Sequence, residues 1–236
     1  MGERMVQDER PTGRELWESV LREKREGLAR RPYVLGPYAT WAQREDPKHN
    51  LFTLARYKFC GKMLAAKKRL LEAGCGDGLG FDLVLREGGP KTVTCVDFDQ
   101  WIIADNQRRF AGREDVTFRC LDVTAERPEG RYDGAWSLDV IEHVYPEQEE
   151  AFLDHITAAL EADAVFLAGT PNATAQGYAS PQSAALHVNL KDAAGLRAGL
   201  EKRFRNVFLF SMNDEVVHTG FYPTAHYLLA MGVGVR

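Results

Sequence analysis

The 236-residue chain has no excess of positive charge: 30 Lys and Arg stand against 34 Asp and Glu, a formal net charge of −4. Without that electrostatic footprint, a nucleic-acid partner is not expected. Cysteine is scarce, and Cys60, Cys75, Cys95 and Cys120 include no Cys-x-x-Cys pair. Neither a disulfide framework nor structural zinc is expected from four thiols so spaced. No stretch approaches the roughly 18 apolar residues of a membrane-spanning helix. Residues 1–8 lack the apolar core of a secretory leader. The expectation is a soluble, cytoplasmic protein with no membrane partner. Internal repeats and low-complexity tracts are missing too, and nothing in the sequence bears on oligomeric state.

What is present is a hydrophobic share of 44%, enough apolar mass for one sizeable core. The most informative run is residues 70–80, Leu-Leu-Glu-Ala-Gly-Cys-Gly-Asp-Gly-Leu-Gly. An apolar segment ends in an acid, Glu72, and glycines then fall at every second position: Gly74, Gly76, Gly78 and Gly80. Glycines so placed let a backbone turn sharply out of a strand and approach a ligand closely. The spacing departs from the Gly-x-Gly-x-x-Gly dinucleotide fingerprint, and the Gly-Lys-Ser/Thr of a P-loop is absent. A nucleoside without a pyrophosphate fits better.

Further segments follow in the order of an alternating α/β fold. Residues 92–96 are β-branched and apolar and end at Asp97, about 20 residues past the glycines. An acid there can accept two O–H bonds from a ribose. Residues 116–121 alternate and lead into Asp122 and Val123, and residues 132–139 read as a fourth strand. Helical spacing covers 15–29, 50–66 with Asn50 as cap, 80–87, 100–110, 146–160 and 191–203. Strands at 69–73 and 164–168 and a last pair near 205–211 and 224–232 complete the pattern. Such alternation calls for a parallel sheet covered on both faces. The expected fold class is α/β: a Rossmann-like, seven-stranded, mostly parallel sheet with a C-terminal antiparallel hairpin. Residues 1–49 are expected to form a helical N-terminal cap or lid, with the aromatics Tyr33, Tyr38 and Trp41, and residues 50–236 the main domain.

These motifs resemble those of the class I S-adenosylmethionine-dependent methyltransferases, over about residues 50–232. The resemblance implies S-adenosyl-L-methionine as cofactor. Gly74, Cys75 and Gly76 would line its methionine end, and Glu72 would receive the amino group, directly or through water. Asp97 would hold both ribose hydroxyls, and Phe98 would lie along the adenine face unless it packs into the core. Asp122 would accept from the adenine amino group, with the Val123 N–H nearby. Leu138 and Asp139 would face the sulfonium.

Asp139, Glu142 and His143 stand at i, i+3 and i+4, so one helical turn would bring them to one side. This acid-x-x-Glu-His pattern resembles that of the ubiquinone-pathway O-methyltransferases. It also resembles the small-RNA 3′-terminal 2′-O-methyltransferases, where these residues bind a divalent metal. The second group adds a later histidine beyond a Thr-Pro-Asn turn; here Thr170-Pro171-Asn172 precedes His187. The resemblance implies His143, His187 and Asp139 as catalytic residues. It also implies Asp139, Glu142, His143 and His187 as ligands of a divalent metal, Mg²⁺ or Mn²⁺. One departure is Asp139 itself, a methylene shorter than the glutamate of those families, and a plain turn without metal is the alternative. His155 reads as a surface residue, His226 as structural, and His218 as part of a hairpin connection.

The implied function is methyl transfer to a small hydroxylated metabolite, such as a sugar or nucleotide-linked sugar, giving an O-methyl product. Alternatives are N-methylation of a small molecule, RNA 2′-O-methylation, and a non-catalytic S-adenosylmethionine-binding module. The Asn/Asp-Pro-Pro-Tyr/Phe motif of amino-methylating DNA and protein enzymes is absent after the fourth strand.

Overall fold

The computed structural model describes residues 10–30, 33–89, 91–179 and 181–236. The leader reading of residues 1–8 and the start of the linker, at 31–32, lie outside the described residues. The chain divides into two compact units, Met1–Leu35 and Gly36–Arg236. The first contains α1 (Gly13–Arg30). Thr12 and Glu15 begin it with a reciprocal capping box: Thr12 N–H donates to Glu15 Oε2 at 2.7 Å, and Glu15 N–H donates to Thr12 Oγ1 at 3.3 Å. The division at 35/36 differs from the expected 49/50, because α2 (Pro37–Glu45) and α3 (Pro47–Met63) belong to the sheet-bearing unit.

Asn50 does not cap α3. The helix starts earlier, at Pro47, whose missing N–H is no loss in a first turn. The buried Asn50 amide instead donates to Ala39 O at 2.9 Å and Gln43 Oε1 at 3.1 Å, tying α3 to α2.

The second unit then alternates strand and helix. In chain order come β1 (Arg69–Ala73), α4 (Phe81–Leu85), β2 (Thr92–Asp97), α5 (Gln100–Arg109), β3 (Val116–Cys120), β4 (Tyr132–Leu138) and α6 (Glu149–Ala158). They are followed by β5 (Leu160–Pro171), α7 (Pro181–Leu186), α8 (Ala193–Glu201), β6 (Phe204–Asn213), β7 (Val216–His218) and β8 (Tyr227–Val235). One sheet results, in the order β3-β2-β1-β4-β5-β8-β6-β7. The first five strands in that order pair in parallel, and β8, β6 and β7 are joined antiparallel. The expected mostly parallel sheet with a C-terminal hairpin is therefore correct, with eight strands among the described residues in place of seven. The extra strand, β7, has three residues and begins just after Asp214, which takes the turn at φ 51°. A segment so short carries no alternation to read.

Alternation along the strands sorts two cores. Leu71, Ala73, Ala135, Phe166 and Ala168 face α6 and α8, where Phe152, Ile156, Leu196 and Leu200 are buried. Leu70, Trp136 and Leu167 face the other side, with Tyr57 and Cys60 of α3, Leu64 just past its end, and Phe81 and Ile102 of α4 and α5. Because β1 to β5 run parallel, their carboxyl ends form one rim, where ligands of such sheets lie.

Candidate active site

The glycine run forms the bend leaving β1. Gly74, Gly76 and Gly78 have φ of 79°, 49° and 70°, a left-handed path that side chains rarely take. A Cβ on Gly74 would lie 2.2 Å from Val140 Cγ2, so this turn presses against the exit of β4. Gly74 and Cys75 N–H both donate to Val96 O, at 2.8 and 3.0 Å, which ties the loop to the end of β2. Asp97 completes that link: Oδ2 accepts from Gly76 N–H at 2.9 Å and Oδ1 from Asp99 N–H at 3.0 Å. A carboxylate offers about four acceptor positions, so both oxygens keep capacity for ribose hydroxyls.

Phe98 is 77% exposed, so core packing is not its role. Asp122 accepts from Thr124 N–H and Oγ1 through Oδ1, at 2.9 and 2.7 Å, while Oδ2 has no hydrogen-bond partner among the described residues. Val123 is buried beside it, and its carbonyl lies 2.7 Å from His155 Nδ1. His155 is thus half-buried and attached to the rim, not a free surface residue. The side of α2 also meets the loop. Asp77, from the glycine run, accepts from Ala39 N–H at 2.7 Å, capping α2 as its own Gly36 cannot. Tyr38 reaches Asp99, and burial together with Asp99 and Asp97 raises its hydroxyl pKa.

Glu72 lies deeper. It is 1% exposed; Oε1 accepts from Tyr57 OH at 2.5 Å and Oε2 from Cys95 Sγ at 3.3 Å. No cation faces it, and burial pushes its pKa up to about 7 against the opposing hydrogen bonds. Both oxygens already have partners, a feature that the motif alone did not contain.

The acceptor side of the rim lies past β4. Leu138 is buried, and Asp139 turns the chain with φ 57°, unusual for a residue other than glycine. Ile141–His143 form one 3₁₀ turn, as expected in kind. The turn brings together Glu142 and His143 but leaves Asp139 apart. Both Asp139 oxygens accept from Arg56 Nη1, at 2.7 and 2.6 Å, across from α3. The Arg56 guanidinium stacks 3.8 Å above the Tyr227 ring. Burial works to lower its pKa, but Asp139, Tyr227 and Glu142 together leave it raised.

His187 joins Glu142 and His143 because its loop is hung on their turn. Val188 and Asn189 N–H donate to Glu142 O at 2.8 and 3.0 Å, and Asn189 Nδ2 donates to Glu149 Oε2 at 2.8 Å. Ligand atoms of Glu142, His143 and His187 all fall within 4.8 Å of one another. The two imidazoles meet edge-on at 5.2 Å, and His187 Nδ1 is buried with no hydrogen-bond partner. Glu142 is 1% exposed and accepts from Thr170 Oγ1 at 3.0 Å; burial, then Asp139, push its pKa up to about 8. Burial and the neighbouring His143 lower the pKa of His187. Arg56 and Tyr227 belong to this site and were not legible, since each sits in an element whose pattern reads as core; Thr170 was read only as part of the Thr-Pro-Asn turn.

Residues 71–166 match the methyltransferase-domain family. Over 107 residues the chain is 31% identical to a curated S-adenosylmethionine-dependent methyltransferase of Mycolicibacterium smegmatis, covering 45% of this chain and 39% of that one. The chain therefore spans well under half the length of that relative. Among solved structures, the methyltransferase domain of bacterial-CtHen1-C superimposes with a TM-score of 0.64 at 16% identity, covering 78% of this chain and 99% of that one. The N-methyltransferase NodS from Bradyrhizobium japonicum WM9, in complex with S-adenosyl-L-homocysteine, gives 0.59 at 14%, covering 89% and 97%. At such identities the two structures establish a shared fold.

Proposed function

We propose that the chain is a class I S-adenosylmethionine-dependent methyltransferase that methylates a hydroxyl of a small metabolite, such as a sugar or nucleotide-linked sugar. The observation that carries this reading is the placement of two imidazoles and a buried carboxylate, His143, His187 and Glu142, beside the exit of β4. Methyl transfer is an in-line displacement. The acceptor oxygen bonds to the methyl carbon while the carbon–sulfur bond breaks, its electron pair going to sulfur and leaving S-adenosylhomocysteine. The sulfonium is already activated, so the protein's part is to align the hydroxyl and take its proton. His187, whose pKa burial lowers, suits that task, with His143 alongside.

The same trio is a chemically fitting donor set for a divalent cation, since imidazole nitrogens and a carboxylate oxygen are common ligands. Glu142, His143 and His187 would hold the ion, and it would supply Lewis-acid polarisation of the acceptor hydroxyl. Asp139, expected as a fourth ligand, is engaged by Arg56 instead. N-methylation is the nearest alternative, and NodS is an N-methyltransferase of the same fold. The net charge of −4 weighs against an RNA acceptor.

The test is incubation with methyl-labelled S-adenosylmethionine and a panel of sugars, nucleotide sugars, phenols and amines. Label should pass to a hydroxyl compound. His143→Ala or His187→Ala should cut turnover strongly, with S-adenosylhomocysteine affinity near wild type. Label passing only to amines would replace this reading with N-methylation.

A further inference from the structure

We propose that Arg56 is a positioning residue: it fixes the Asp139 carboxylate at the place of the transferring methyl group, where that carboxylate meets the positive charge of the donor. The proposal rests on the family's cofactor occupying the rim described above. Asp139 stands beside the loop that would line the methionine end, because its neighbour Val140 is the group that a Cβ on Gly74 would strike. Its backbone sits in the left-handed region at φ 57° and donates its N–H to Gly169 O at 3.0 Å. A non-glycine residue keeps such a conformation only where its surroundings over-determine it, and such residues gather at functional sites.

Arg56 supplies that determination from 83 positions away in sequence. One nitrogen, Nη1, serves both carboxylate oxygens, and the guanidinium face lies on the Tyr227 ring, so the arm is locked from two directions. The Arg56 side chain is 10% exposed and that of Asp139 34%, so the carboxylate faces outward from a buried support. Arg56 Nε and Tyr227 OH are buried without hydrogen-bond partners, which leaves Asp139 as the anchor of the arrangement. Gly169 makes the close packing feasible: a Cβ there would lie 2.6 Å from both Leu138 Cδ2 and Tyr227 OH. Glu142 is pointed elsewhere, toward Thr170.

Two ligands read the charge at the methyl position without any acceptor. S-adenosylhomocysteine has a neutral thioether there, whereas sinefungin carries an ammonium group in place of the methylated sulfonium. A charge-assisted hydrogen bond predicts that the wild-type protein binds sinefungin about tenfold or more tighter than S-adenosylhomocysteine by calorimetry. Asp139→Asn and Arg56→Met should both reduce that ratio to about one to threefold, leaving S-adenosylhomocysteine affinity within about threefold of wild type. Arg56→Lys should retain part of the ratio, since an ammonium can serve the carboxylate but cannot stack on Tyr227 in the same way. If Arg56→Met fails to fold, Asp139→Asn and Arg56→Lys decide the matter. A wild-type ratio near one, or a ratio unmoved in Asp139→Asn or Arg56→Met, would overturn the proposal. So would equal losses for the two ligands, which is what a merely structural role produces. Failure of the wild-type protein to bind S-adenosylhomocysteine at all would instead reject the cofactor reading on which the proposal stands.

Discussion

Replacing Glu72 by glutamine tests whether a carboxylate without a counter-charge is stored under the glycine loop. The side chain is 1% exposed, and its hydrogen bonds come from the neutral groups Tyr57 and Cys95. Burial raises its pKa from 4.5 to about 7. At 1.36 kcal/mol per pH unit, the gap between those two values corresponds to about 3 kcal/mol. Because the folded pKa is the higher one, the folded state binds more protons between those values. The stability so gained is fully present below pH 4.5 and is lost as pH rises through about 7. Linkage places about 2 to 3 kcal/mol of the loss between pH 5 and pH 8. Glu142 titrates in the same sense, from 4.5 to about 8, so the test is the difference between two proteins. Urea unfolding of wild type and Glu72→Gln at pH 5 and pH 8 should show a wild-type decline steeper by about 2 to 3 kcal/mol. Equal declines in the two proteins would refute the reasoning, since Glu72 would then be ionised at no cost or linked to a cation the structure does not place there.

Asp97→Ala removes the acceptor that closes the loop onto β2 and should weaken S-adenosylhomocysteine binding at least tenfold by calorimetry. Gly80→Ala should impair folding, because its Cβ would fall 2.1 Å from the Tyr57 ring; a lowered Tm with unchanged far-ultraviolet dichroism of the residual folded fraction is the expected readout. Chelation separates the two readings of the histidine pair. Activity lost in EDTA and restored by Mn²⁺ or Mg²⁺ supports the Glu142–His143–His187 cation site, whereas activity that survives EDTA and falls with pH supports an imidazole base.

The parallel half of the fold was legible because its strands obey period-two and glycine rules that local sequence carries. The run at 70–80 placed the loop, and Asp97 and Asp122 followed at strand ends. The acceptor half was legible only as a list. Residues 139–143 are adjacent in sequence, yet no periodicity says that Asp139 faces α3 while Glu142 faces Thr170. That split depends on Arg56, whose helix reads as an ordinary core helix, and on a positive φ at an aspartate. His187 was reached by the resemblance to families with a later histidine beyond a Thr-Pro-Asn turn, but the bonds that seat it run from backbone N–H groups to Glu142 O and are invisible to a motif. Asn50 shows the reverse error: a good capping residue three positions inside a helix that proline had already begun.

A crystal structure of the protein with S-adenosylhomocysteine bears most directly on the central claim, that the rim from Gly74 to Asp139 is a methyl-donor site. The account predicts ribose hydroxyls on Asp97, adenine against Phe98 with its amino group at Asp122, and the sulfur facing Asp139. Ligand bound away from this rim, or a ribose with no contact to Asp97, would contradict it.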